Sequence, residues 1–387
     1  MLKPNRDGPA RGGNPWIFSK AIEGTEPTTL APGDGVEVFD AAGNLLGVGY
    51  FNPLTTIAVR LLAFGPTPDL SSLVGHRIRN ALALRQKIIS PDTNCYRLVN
   101  GEGDAFPGLV VDLYGDVAVV QLLTAGADRL RTEIGTALQE LLAPRAVLER
   151  SYGAVRRQEG LADRRDSLIG ERIVSTTVRE NGIALLIDFE HGQKTGYFLD
   201  QRDNRALISK LAAGMRIFDG YCYAGGFTLA ALQGGAKHVV AVDTSPRALE
   251  SARHNLGLNG WSPSRYQLVR DEVAKYLLQS RDQFDIVILD PPPLARSLKD
   301  ATRAAKLYTE LNRIAMRAIR KGGFLMTFSC SVHFRGEDFI RAVRVAAARA
   351  KRNFRLLRHL GPPPDHPVML GHDEGEYLTG LLVGDLS

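Results

Sequence analysis

Asp219-Gly220-Tyr221-Cys222-Tyr223-Ala224-Gly225-Gly226 follows the apolar run 215–219 and opens a stretch of helical character. An apolar strand, a glycine-bearing turn and a helix, in that order, are the first half of a β-α-β unit. The same pattern recurs downstream. Strands are expected over 238–243, 266–269, 284–290 and 324–329, with helices between them, such as 246–256 with Pro246 in its first turn and Ser245 as its cap. That alternation implies a parallel sheet covered on both faces. Two further runs, 354–359 and 377–383, bracket a Pro- and Gly-rich loop and read as an antiparallel hairpin that completes a mixed seven-stranded sheet.

Upstream the pattern differs. Residues 1–68 read as short strands and turns, with Gly35-Val36-Glu37-Val38-Phe39 and Leu45 to Tyr50 on either side of Ala41-Ala42-Gly43-Asn44. A small β-barrel is expected there, followed by a linker at Phe64-Gly65-Pro66-Thr67-Pro68. Residues 69–178 mix α and β: a helix capped by Asp69, strands at 108–113 and 117–123, and a second helix over 128–142. The α/β domain then occupies 179–387.

Composition narrows the class. The chain has 387 residues, 44% hydrophobic and 23% charged, an ordinary balance for a globular protein. It has no apolar run near the ~18 residues needed to cross a bilayer, so membrane insertion is not expected. Three scattered cysteines suit neither a disulfide framework nor a zinc site, and a reducing cytoplasm follows. The net charge of +6 suits a polyanionic partner.

In open α/β sheets, ligands sit outside the carboxyl ends of the strands. Asp219, Gly220, Tyr221, Ala224, Gly225, Gly226 and Phe227 lie at the first such end, and the glycines let backbone approach a ligand. Asp243, at the next strand end, is placed to accept the hydroxyls of a ribose, and Asp271 to meet an adenine amino group. A dinucleotide requires the spacing Gly-x-Gly-x-x-Gly, which this loop lacks. S-adenosylmethionine has no pyrophosphate and fits an acidic residue such as Asp219 at the loop's start. The ordinary alternative is that Asp219 caps a helix and the glycines only turn the chain.

Asp290-Pro291-Pro292 ends the fourth strand and Ser329-Cys330-Ser331 the fifth. A thiolate at Cys330 facing the pocket of Asp290 suits methylation at carbon 5 of a pyrimidine. That carbon is a poor nucleophile until a thiolate adds to carbon 6, and an acid at N3 absorbs the charge that develops. Methylation of an exocyclic nitrogen usually calls for an aromatic residue after the prolines, where this chain has Pro293-Leu294. Lone cysteines are most often packing residues, and Cys95 and Cys222 read that way. Gln193, Lys194 and Tyr197, in the polar stretch 190–198, are candidates for a wall of the cofactor pocket.

These motifs resemble the bacterial ribosomal RNA large subunit methyltransferase I family over nearly the whole chain. Asn14-Pro15-Trp16-Ile17-Phe18 and Gly49-Tyr50-Phe51-Asn52-Pro53 are similar to its PUA domain. Tyr96 to Asp104 and Pro107 to Asp112 resemble its central domain. Gly192 to Arg202 and the four strand-end motifs resemble its Rossmann-like class I methyltransferase domain. The resemblance implies S-adenosylmethionine as cofactor and 5-methylcytosine in 23S ribosomal RNA as product. It implies Cys330 as nucleophile, Asp290 as the acid that orients the pyrimidine, and Asp219, Gly225, Asp243 and Asp271 as cofactor ligands. Two positions depart from the family: Asn14 replaces a common histidine, and Pro293-Leu294 a more usual Lys-Phe.

An RNA substrate, as free 23S RNA or a large-subunit assembly intermediate, needs cationic partners for its phosphates. Arg156-Arg157, Arg164-Arg165 and the acid-free run from Arg341 to Arg358 are candidates. Edge strands leave room for a homodimer. Competing readings are a base-nitrogen methyltransferase on the same sheet and a non-catalytic ribosome-assembly factor.

Overall fold

The computed structural model describes residues 1–24, 29–67, 69–280, 283–295, 298–331 and 334–386; Pro68, the end of the expected linker, lies outside them. The chain divides into two compact units. The first comprises residues 1–179, 187–199 and 364–375, and the second 180–186, 200–363 and 376–387.

The first unit holds two sheets. After a short helix α1 (Gly8–Arg11), strands β1 (Trp16–Phe18), β2 (Asp34–Phe39), β3 (Leu45–Phe51) and β4 (Ile57–Phe64) form an antiparallel sheet ordered β1-β4-β3-β2. Helix α2 (Leu70–Ile88) precedes β5 (Cys95–Asn100), β6 (Leu109–Tyr114) and β7 (Val117–Leu122). The expected helix over 128–142 is two helices, α3 (Ala125–Arg129) and α4 (Arg131–Leu142), broken at Leu130. Then come β8 (Ala146–Ser151), α5 (Ala154–Gln158) and β9 (Arg164–Gly170), an edge strand that the sequence reading did not anticipate. The sheet runs β5-β6-β7-β8-β9, with only β7 and β8 parallel. Val74, Ile78, Ile134 and Leu138, at helical spacing on α2 and α4, bury against Val111, Val120 and Val147 of the sheet.

A late segment completes this unit. Asp365 is fully buried: its carboxylate accepts the Arg97 backbone N–H at 3.0 Å, and its carbonyl accepts Arg85 Nη2 at 2.7 Å. Asn100 Nδ2 donates to the Pro367 carbonyl at 3.0 Å.

Strands β10 (Ser175–Glu180) and β11 (Ile183–Asp188) form a hairpin that turns at Asn181 and Gly182, both at positive φ. The second unit then alternates helix and strand: α6 (Arg202–Leu211), β12 (Arg216–Gly220), α7 (Gly226–Gln233), β13 (His238–Asp243), α8 (Pro246–Leu258), β14 (Tyr266–Arg270), α9 (Val273–Gln279), β15 (Phe284–Leu289), α10 (Ala301–Ala318), β16 (Ile319–Ser329), α11 (Glu337–Ala350), β17 (Phe354–Leu360) and β18 (Thr379–Asp385). The seven strands are ordered β14-β13-β12-β15-β16-β18-β17. The first five are parallel, and the last two pair antiparallel. Consecutive residues such as Val239 to Val242 and Ile286 to Leu289 are buried, because helices cover both faces of the sheet. Helix α10 turns Ala304, Tyr308, Leu311 and Ala315, at spacings of three and four, into the core. Chain order reverses at β12: β13 and β14 extend the sheet on one side, β15 and β16 on the other. The carboxyl ends of β12 and β15 therefore flank the switch-point crevice.

Candidate active site

Asp219 is 1% exposed, near the end of β12. The Thr228 hydroxyl, in the first turns of α7, donates to its Oδ2 at 2.6 Å, while the buried Oδ1 has no hydrogen-bond partner among the described residues. Burial pushes its carboxyl up to about 7, opposed by the Thr228 hydrogen bonds and assisted by the nearby Asp243 charge.

The loop after β12 is tightly wound. Tyr221 and Tyr223 take left-handed φ of 65° and 48°, unusual for side chains of that bulk. Their loop is over-determined: the Tyr221 and Cys222 N–H groups both donate to the Val242 carbonyl, and Asn255 Nδ2 donates to that of Ala224 at 3.1 Å. Gly225 has φ of 81°, and a Cβ there would come within 3.1 Å of the Ala252 Cβ on α8. Glycine thus satisfies both the turn and the helix packing. Asp243 joins the two strand ends, since its Oδ2 accepts the Tyr223 N–H at 3.0 Å and its Oδ1 the Ser245 N–H at 2.9 Å.

Asp271 follows β14 and pairs with Lys275 at 3.0 Å, which holds its carboxyl below the usual range together with the Glu272 N–H. Phe227 turns inward: its buried ring stacks on Phe328 at 5.9 Å, so this side chain packs the sheet. Gln193, Lys194 and Tyr197 lie in the first unit. Lys194 Nζ sits 4.6 Å over the Phe198 ring, and the Tyr197 N–H donates to the Tyr114 hydroxyl at 3.1 Å.

The fourth and fifth strand ends meet. The Asp290 N–H lies 3.4 Å from the Gly220 carbonyl, tying the Asp-Pro-Pro turn to β12. Across the β15–β16 pairing, the Cys330 thiol donates to the Pro291 carbonyl at 3.5 Å. Burial sorts the three thiols. Cys330 is partly exposed, whereas Cys95 and Cys222 are buried. Burial beside Asp219 and Asp243 raises the Cys222 thiol well above its ordinary value. The thiolate is the reactive form, so burial disfavours reaction at Cys222.

Sequence reasoning missed the scaffold under this junction. Ser331 Oγ accepts the Leu294 and Ala295 N–H groups at 3.1 and 3.2 Å and lies 3.2 Å from the Tyr308 hydroxyl. Ser329 Oγ is 3.0 Å from the same hydroxyl and donates to the Phe334 carbonyl at 2.8 Å. Both serines were in view beside Cys330; their partner Tyr308 looked only like a core residue of an amphipathic helix.

The S-adenosylmethionine-dependent methyltransferase family matches residues 97–375, and the PUA-like domain family residues 1–64. A ribosomal RNA large subunit methyltransferase I from Alteromonas mediterranea is 38% identical over 387 residues, covering 99% of this chain and 97% of its own. The protein of the same name from Aeromonas hydrophila is 39% identical over 378 residues, covering 96% and 95%. This chain belongs to the ribosomal RNA large subunit methyltransferase I family. Solved structures agree on the fold. A SAM-dependent methyltransferase from Streptococcus mutans matches with a TM-score of 0.84 at 22% identity over 99% of both chains. A methyltransferase solved with S-adenosylhomocysteine matches at 0.85 and 22%, over 99% of this chain and 100% of the other. The class I methyltransferase fold, the PUA-like N-terminal domain and the dependence on S-adenosylmethionine expected for a member of the methyltransferase I family are thereby established. The crevice fits that cofactor: it offers an unsatisfied buried carboxylate oxygen on Asp219, a backbone turn opened by Gly225, and a partly exposed carboxylate at Asp243.

Proposed function

We propose that this protein methylates carbon 5 of a cytosine in 23S ribosomal RNA through a covalent adduct with Cys330. The observation that carries the reading is the placement of one partly exposed thiol, Cys330, against the Asp290-Pro291 turn while the other two thiols are buried. Asp219, Gly220, Tyr221, Ala224, Gly225, Gly226, Asp243 and Asp271 hold the cofactor, with Asp290 at its reactive end. Phe227 acts by packing. S-adenosylmethionine, when bound, supplies an electrophilic methyl group.

The chain's own residues do the rest. The Cys330 thiolate adds to carbon 6 of the ring, and the electron pair of the carbon 5–carbon 6 double bond is drawn toward N3, where Asp290 donates a hydrogen bond or proton. Carbon 5 thereby becomes nucleophilic. After methylation, a base takes the carbon-5 proton, N3 returns any proton to Asp290, the double bond re-forms and the thiolate leaves. Tyr308, Ser329 and Ser331 hold the two loops in register while this occurs.

The substrate is 23S RNA, free or in an assembly intermediate, in the cytoplasm; no described helix is long and apolar enough to cross a membrane. The exposed edge strand β17 is the sheet edge open to a homodimer. The deciding experiment transfers label from S-adenosylmethionine to unmodified 23S RNA and resolves the product nucleosides. Label in 5-methylcytosine, lost in Cys330→Ala, supports the reading. Label in a methylated purine overturns the thiolate mechanism, and RNA binding without transfer returns the protein to an assembly factor.

A further inference from the structure

Among the described residues, the buried arginines of the first unit follow a rule with one exception. Arg60 pairs with Glu159, Arg85 with Asp104, and Arg156 with Asp128, each at 2.8 Å or less. Arg156 also donates to the Ala162 and Leu122 carbonyls. This inward use removes it from the expected RNA contacts. Arg150 is 4% exposed and has no carboxylate within ion-pair distance among the described residues. Its Nη2 donates to the Gly192 carbonyl at 2.8 Å, while its Nε and Nη1 are buried without hydrogen-bond partners among the described residues. A buried guanidinium without a counter-charge is destabilising.

The surroundings add positive charge. In the antiparallel register of β8 and β9, Arg150 stands opposite Arg165 and Ser151 opposite Arg164. Like charges directly opposite on one face repel. Between them lies Tyr152, with the Arg165 guanidinium 4.5 Å and the Arg150 guanidinium 5.8 Å from its ring centroid. The Tyr152 hydroxyl donates to the Lys194 carbonyl at 2.9 Å, which fixes the ring. Arg164 and Arg165 are exposed and carry no ion pair among the described residues.

We infer that Tyr152 and Arg165, with the buried charge of Arg150 beneath them, form a docking site for a single-stranded segment of the RNA substrate. The backbone phosphates supply the negative charge that this face lacks, and a base stacks on the Tyr152–Arg165 pair. The chemistry favours nucleic acid over an acidic peptide, because a guanidinium held over an aromatic ring presents a stacking surface as well as charge. The inference rests on the reading of the substrate as RNA, and names where that RNA docks.

The test is fluorescence anisotropy with a labelled single-stranded fragment of large-subunit ribosomal RNA. Arg165→Ala and Tyr152→Ala are each expected to weaken binding about tenfold. Arg165→Ala should also reduce the slope of log affinity against log salt by about one. Arg172→Ala, an exposed arginine paired with Glu190, is the control and should bind as wild type. Arg150→Leu should raise the unfolding midpoint while weakening RNA binding, an opposition that a purely structural arginine does not produce. Wild-type affinity and salt slope in the Arg165 and Tyr152 variants would overturn the site. So would binding of poly-glutamate with the same dependence on Arg165 in preference to RNA. A wild-type protein that binds no RNA removes both this inference and the RNA reading, and the methyl-transfer assay tells that case from a misplaced docking site.

Discussion

The Tyr308 hydroxyl, on α10, lies 3.2 Å from Ser331 Oγ, which itself receives two backbone N–H groups from the far side of the Asp-Pro-Pro turn. Ser331 therefore ties the loop that carries Asp290 to the loop that carries Cys330, and the buried phenol holds it in place. Tyr308→Phe keeps the ring stack on Phe334, at 5.3 Å, and removes only the hydroxyl. It should cost about 1–2 kcal/mol in denaturant unfolding. Single-turnover methyl transfer should slow about tenfold or more, with S-adenosylhomocysteine affinity unchanged, since a small misplacement of reacting groups lowers the rate steeply. An unchanged rate would show that the two loops keep register without the phenol.

Alkylation should follow burial. Iodoacetamide on the native protein should modify Cys330 first, with Cys95 and Cys222 reacting only after unfolding. Mass spectrometry of the tryptic peptides reads the order directly. Modification of Cys222 at a rate comparable to Cys330 would contradict the buried placement of the first loop.

Asp219 gives the protein without cofactor a pH signature. An unfolded aspartate ionises near 3.8, whereas the buried one holds its proton to about 7. Between those values the folded state binds more protons than the unfolded state, so this group's contribution lowers stability as pH rises, and the loss is complete above about 7. Over that span the shift corresponds to roughly 4 kcal/mol. Asp219→Asn should match wild type near pH 4 and exceed it in unfolding free energy at pH 8, while losing affinity for S-adenosylhomocysteine. Equal stability of the two proteins at pH 8 would show that the carboxylate is better solvated than its burial implies.

Much of this crevice was legible because its determinants are local. Strands buried on both faces are runs of apolar residues, and their ends are marked by Asp219, Asp243 and Asp290 as the chain leaves the core. Ser245 caps α8 through the Ala248 N–H, as its place before Pro246 indicated. What escaped depends on partners distant in sequence. Strand β9 begins Arg164-Arg165-Asp166, all exposed, and lacks the apolar alternation that marks a strand, because only its pairing with β8 makes it one. Arg156 resembles its neighbour Arg157 in sequence, yet one is sealed against Asp128 and the other exposed. Thr228 looked like any residue of α7 until the fold placed it on Asp219.

A buried pair outside the crevice supplies a test of packing in the second unit. Arg205 donates twice to Glu180, through Nε and Nη2, each at 2.6 Å, and both side chains are almost fully buried. Arg205→Ala should cost about 3–5 kcal/mol, because it strands the Glu180 charge. Replacing both with apolar residues should recover much of that loss in the same unfolding measurement. A loss under about 1 kcal/mol for the single change would mean that water reaches Glu180.

The interleaving of the two units has a consequence for synthesis. Arg85 and Arg97 belong to the early chain, yet the carbonyl and carboxylate of Asp365 that satisfy them arrive some 270 residues later. As the polypeptide leaves the ribosome, the N-terminal half emerges with part of its interior unsealed, and it stays so until residues 364–375 clear the exit tunnel. Assembly of the first unit then waits on synthesis of most of the second, and a truncated or stalled nascent chain exposes its defect at the amino-terminal end, far in sequence from the break.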